Sequence, residues 1–90
     1  MLFTWDQQKA SLNLVKHGVS FGEASTVFGD PLSQTYFDIS HSINEHRFII
    51  IGLSEQGRIL VVAHTDDEEL VRIISAREAT ASERKSYEEH

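Results

Sequence analysis

The chain has no cysteine, one proline, one tryptophan and only eight lysines and arginines in 90 residues. Without cysteine there is no disulfide framework, no zinc ribbon and no thiol nucleophile, and the five histidines lack ligand-like spacing, so no metal and no cofactor are expected. Nowhere do 18 apolar residues run together, and Met1-Leu2-Phe3-Thr4-Trp5-Asp6 has neither a basic segment nor a long apolar one. The expectation is a cytoplasmic protein with no membrane association. No linker, repeat or low-complexity stretch divides the chain, so residues 1–90 read as a single domain with modest stability. A formal charge of −6 argues against general nucleic-acid binding, which draws its affinity from lysine and arginine. The acid is uneven, however: Asp66 to Glu69 form one block and Glu78, Glu83, Glu88 and Glu89 crowd the C-terminal end, so basic residues can still converge elsewhere.

Leu2 to Trp5 fits a short strand. Asp6 is a good N-cap for a helix over Gln7 to Lys16, closed by Gly18. Ala10, Leu14 and Val15 supply its apolar stripe, while Lys9, Asn13, Lys16 and His17 gather on a polar, partly cationic face. Ser20 and Glu23 form a capping box for a second helix with Val19 and Ala24 as its staple; Phe21, Ala24, Val27 and Phe28 are its buried stripe, and Gly29-Asp30-Pro31 stops it. From Thr35 the period changes to that of strands: Thr35 to Ile39, a turn over Ser40 to Asn44, then His46 to Leu53, a tight turn at Ser54 to Gly57, and Arg58 to Thr65. These strands are apolar on both faces, so the face not covered by the first two helices needs the C-terminal helix or a partner.

After an acidic loop comes the sharpest signal, Leu70-Val71-Arg72-Ile73-Ile74-Ser75-Ala76-Arg77, read as an apolar strand that ends and presents two arginines. Arg72 alternates with Val71 and Ile73, so it stands on the opposite face with Leu70 and Ile74, where a guanidinium needs an anion or a route to solvent. Ser75-x-x-Glu78 and Thr80-x-x-Glu83 both fit a capping box, with Thr80 favoured as the start of a helix through Arg84 and Tyr87.

Trp5-Asp6, Lys9, Asn13, Lys16-His17-Gly18-Val19, Phe21, Ala24, Phe28, Asp30-Pro31, Glu45-x-Arg47, Gly52, Arg72 to Arg77, Ala79, Glu83-Arg84 and Tyr87, in that order, resemble the BrnT family over nearly the whole chain. The resemblance implies a RelE-like α+β fold: a short N-terminal strand, two helices, an antiparallel sheet of three to four further strands and a C-terminal helix. It further implies the toxin of a type II toxin-antitoxin system. Such a toxin is a metal-independent ribonuclease that inhibits translation and is neutralised by a BrnA-like ribbon-helix-helix antitoxin, which alone contacts operator DNA.

Cleavage of RNA without a metal uses the substrate's 2′-hydroxyl as nucleophile. The protein must then supply a base, an acid for the leaving 5′-oxygen, and fixed positive charge for the phosphorane. Arg47, Arg72 and Arg77, with Lys16 behind them, are the candidates for charge. His17, His64 and Glu45 are the candidates for proton transfer, and Trp5 and Tyr87 for stacking on bases. One feature departs from the family pattern: where such toxins tend to carry basic residues, before the Arg72 strand, this chain has four carboxylates that repel an RNA backbone. The competing reading is therefore a catalytically inactive, toxin-like module that acts with a DNA-binding antitoxin as operon co-repressor.

Overall fold

The computed structural model describes residues 1–42 and 45–89. The element order is β1 (Leu2–Trp5), α1 (Gln7–His17), α2 (Phe21–Thr26), β2 (Gln34–Phe37), β3 (Arg47–Leu53), β4 (Ile59–Asp67), β5 (Leu70–Glu78) and α3 (Ala81–Glu88). Local chemistry sets the helix ends. The Asp6 side chain accepts from the Lys9 N–H, and Gly18 closes α1 at φ 69, a conformation that glycine adopts without Cβ strain. Ser20 caps α2 and Thr80 caps α3, the latter with a complete capping box to Glu83.

One sheet holds all five strands in the order β1-β5-β4-β3-β2. The β1 strand joins it parallel to β5 while every other pair is antiparallel, so the sheet is mixed rather than antiparallel. Helices α1 and α2 cover one face, and the core lies beneath them: Val19, Phe21, Ala24 and Val27 pack on Ile50, Leu60, Val62, Val71, Ile73 and Ala76. Gly52 belongs to this contact, because a Cβ there would come within 2.8 Å of the Val27 side chain.

Further details differ from the sequence reading. On α1, Val15 and Leu14 are exposed and Asn13 is buried, because the helix turns Ala10 and Asn13 toward the sheet. The β2 strand is shifted to Gln34–Phe37, with Ile39 to His41 in a 3-10 turn; Ile43 and Asn44 of the expected turn lie outside the described residues. The acidic block is mostly strand: β4 runs through Asp67 and only Glu68-Glu69 make the turn. Finally, β5 runs from Leu70 through Glu78, so Ser75 and Glu78 lie within the strand and the helix starts at Thr80.

Candidate active site

The second face of the sheet carries the candidate site, and a bulge in β5 creates it. His64 pairs with Ile73 and Ala63 with Ser75, so Ile74 is an extra residue opposite no partner. Strict alternation would place Arg72 and Arg77, five residues apart, on opposite faces. With one residue inserted between them, both stand on the face away from α1 and α2. Across the strands, Arg47 pairs with Thr65, Thr65 with Arg72, and Arg72 with Thr4. These four side chains form one row, with the two arginine backbones two strands, about 10 Å, apart.

Glu45, just before β3, stands between the two guanidiniums. Arg72 donates Nη2–H to Glu45 Oε2 at 2.6 Å, and Arg47 donates Nε–H to Oε1 at 3.4 Å. The Arg72 hydrogen bond, with Arg47 behind it, holds the Glu45 carboxyl below its ordinary range. This contact uses only Nη2 of the Arg72 fork, and among the described residues Nε and Nη1 have no hydrogen-bond partner and can meet another anion. The row opens into a groove of about 380 Å³ bounded also by Leu70, His46, Asp66 and Asp67. Asp66 and Asp67 therefore put negative charge at the mouth of the arginine site.

The other candidate residues are placed elsewhere. Arg77 lies on the same face but is held in a bidentate pair, Nη1 and Nη2 to Glu83 at 2.7 and 2.9 Å, which brings the Glu83 carboxyl down to about 2. Glu83 also accepts from the Thr80 N–H, so Arg77 and the α3 capping box form one unit. His64 is buried on the helix side of the sheet, edge-on to Phe28 at 4.8 Å and stacked near Phe48 at 6.0 Å; burial pushes its pKa down. Lys16 and His17 are exposed at the end of α1, on the helix side and away from the arginine row. Trp5 is partly buried and packs edge-on against Phe21 at 6.0 Å. Tyr87 donates its hydroxyl to Asp30, and that bond pushes the phenol up to about 12.

The structure thus brings together Arg47, Arg72 and Glu45 and separates them from His17, His64, Lys16 and Trp5. Sequence reading missed Thr65 and Thr4, whose place beside Arg72 is set by strand register. It also missed His46, adjacent in sequence to both Glu45 and Arg47; its ring packs edge-on against Phe37 at 5.6 Å. Among the described residues no group of three or more His, Cys, Asp or Glu is placed to hold a metal ion.

A family model described as the ribonuclease toxin, BrnT, of type II toxin-antitoxin systems matches residues 5–83. Among solved structures, the crystal structure of the Brucella abortus ribonuclease toxin BrnT aligns with a TM-score of 0.68 at 21% identity, covering 89% of this chain and 99% of that one, a likeness of fold. No curated protein matches the chain.

Proposed function

The chain belongs to the BrnT family of ribonuclease toxins of type II toxin-antitoxin systems, and from that membership we propose that it cleaves RNA at the Glu45–Arg47–Arg72 row. The observation that carries this is a carboxylate held ionised between two arginines on an open sheet face. In the proposed step Glu45 takes the proton of the substrate's 2′-hydroxyl. The 2′-oxygen bonds to phosphorus, the bond to the 5′-oxygen breaks, and that oxygen takes a proton from solvent. The products are a 2′,3′-cyclic phosphate and a 5′-hydroxyl end. Arg47 and the free edge of Arg72 neutralise the phosphorane oxygens, to which arginine forks are matched. Arg77 serves this site indirectly, by fixing α3 through Glu83.

Cleavage of RNA by the purified chain in EDTA tests the reading, with Glu45→Gln and Arg72→Ala as variants. Loss of a positioned base lowers the rate by roughly 10² to 10⁴. A Glu45→Gln protein that cuts like wild type would sink the assignment. The same variants abolish growth arrest on induction of the chain without its antitoxin.

A second reading rests on Asp66 and Asp67, which line the same groove and repel a phosphate backbone. It is an inactive module whose work is to bind a BrnA-like ribbon-helix-helix antitoxin and so reach operator DNA. Tight complex formation with no cutting in EDTA would favour it. Both readings place the chain's work in the cytoplasm.

A further inference from the structure

The face that carries the arginines continues beyond them. From Arg47 to Ile49 and on to Ile51, β3 keeps to that face and advances about 7 Å per step. Ile49, Ile51 and Val61 floor a groove of about 250 Å³, walled by Tyr36 and Asp38 on one side and by Glu83 and Tyr87 on the other. No residue of α3 is buried. The helix roofs only part of this face and leaves Tyr36, the cross-strand partner of Ile49, 50% exposed. An edge strand such as β2 is usually protected by charge, and an aromatic ring held open there calls for an occupant.

We propose that this groove is a nucleobase site, in which Tyr36 stacks on the base of the nucleotide whose phosphate lies at Arg47 and Arg72. The proposal rests on the reading of those arginines as phosphate contacts. The surface offers, in order along this face of the sheet, two cations, an aliphatic floor and an aromatic wall. A nucleotide offers an anion, a sugar and a flat apolar-faced ring in the same order. A peptide side chain would fill the groove and leave the arginines unmatched. At the rim, Asp38 and Glu83 can accept hydrogen bonds but not donate them while ionised. Glu83 is already engaged by Arg77 and the Thr80 N–H. Asp38 is likewise engaged, accepting from Ser40 at 3.0 Å with His41 Nδ1 3.1 Å away, so the ring stack on Tyr36 rather than a rim hydrogen bond holds the base.

The test is titration of the isotope-labelled full chain with adenosine 3′-monophosphate, uridine 3′-monophosphate, adenosine and inorganic phosphate, read by backbone amide shifts. Adenosine 3′-monophosphate moves the amides of Arg72 and of Tyr36 and Ile49 together, phosphate moves the arginine row alone, and the uridine nucleotide, whose smaller ring covers less of Tyr36, binds more weakly. Tyr36→Ala weakens the adenosine nucleotide by roughly ten- to a hundredfold, the usual worth of one aromatic–base stack, and leaves phosphate binding unchanged. Tyr36→Phe keeps the ring and keeps the affinity, which separates stacking from a folding defect. If the adenosine nucleotide shifts only the arginine row, or Tyr36→Ala binds it like wild type, the base site is overturned and the groove is left to a protein partner. Adenosine bound in the groove with no phosphate response at the arginines would uphold the base site and bring down the phosphate reading instead.

Discussion

Asn13 does the work of a missing strand. The β1 strand pairs with β5 only as far as Ile73, and beyond that point Asn13 of α1 takes over the edge: its Nδ2 donates to the carbonyl of Ala76 at 2.8 Å and its Oδ1 accepts the Ala76 N–H at 3.1 Å. A second Nδ2 contact, 2.9 Å, satisfies the Val19 carbonyl. Asn13→Ala leaves three buried backbone groups without partners and should cost about 3 kcal/mol or more, each such group costing roughly 1–3; urea unfolding at unchanged slope would measure it, and a loss under 1 kcal/mol would contradict this account. Helical periodicity placed Asn13 beside Lys9 and Lys16 and so suggested a wet face, since spacing alone does not say which way a polar side chain on the boundary turns. The signal lay in the length mismatch between a four-residue β1 and the strand it pairs with. Glu68 shows the opposite situation, a residue at odds with its backbone. It sits at φ 56 in the β4–β5 turn, where a side chain with Cβ costs roughly 1–2 kcal/mol relative to glycine. Glu68→Gly should therefore stabilise by about 0.5–1 kcal/mol after the extra freedom of the unfolded chain is subtracted, a rise in Tm of roughly 2–8 °C. A lower Tm would show that the Glu68 side chain supplies something the turn needs.

Among the elements, those set by local chemistry were legible and those set by register were not. Asp6, Ser20, Gly18 and Thr80 announce helix ends because each acts on backbone groups within three or four residues. The bulge at Ile74 has no such signature. Whether Arg72 and Arg77 share a face depends on one unpaired residue that only the β4 partner reveals, and the site is read correctly only with it. Glu23 was similarly misplaced: it was expected to complete the α2 capping box, yet its carboxylate turns away to the β3–β4 hairpin. Arg58 donates Nε–H to it at 3.0 Å together with a second contact from Nη2, and Ser54 adds a hydroxyl at 2.8 Å. The pair locks α2 onto the hairpin, and its carboxylate is almost wholly buried. Arg58→Ala strands that charge and should destabilise by about 3–5 kcal/mol. Arg58→Lys should recover less than half, because an ammonium cannot reproduce the two-pronged contact. Full rescue by lysine, in the same unfolding measurement, would show that charge alone holds the hairpin.

At the scale of the whole molecule, element order and fold class followed from pattern, because each strand and helix is long enough to show its own period. The candidate constellation did not, since it joins Glu45 to residues two and 27 positions away across three strands. A further property belongs to no single element: His64 and the displaced carboxylates all push its pH dependence one way, and the raised Tyr87 phenol acts against them only at alkaline pH. Burial lowers the pKa of His64, so the unfolded chain takes up that proton first and stability falls as pH drops below about 6.5. Glu23 is lowered by Arg58, Glu45 by Arg72, and Glu83 by Arg77 to about 2. For Asp30, burial acts upward, but the N–H groups of Leu53 and Leu32 and the Tyr87 hydroxyl outweigh it and the net shift is downward. Each of these carboxylates stabilises the fold above the unfolded value near 4.3 and loses that contribution as pH falls toward 2. Glu45 and Glu83 are partly screened by solvent and buried Glu23 should dominate this second step. The urea midpoint is therefore expected to be level from about pH 7 to 9, to decline as pH falls below about 6.5, and to drop more steeply below about 4.5. In His64→Phe the upper decline should disappear whatever the new ring does to absolute stability, because the steps differ in which proton they count. If wild type is flat from pH 8 to 5, or the variant keeps the same decline, then His64 is not the group that couples folding to pH in that window.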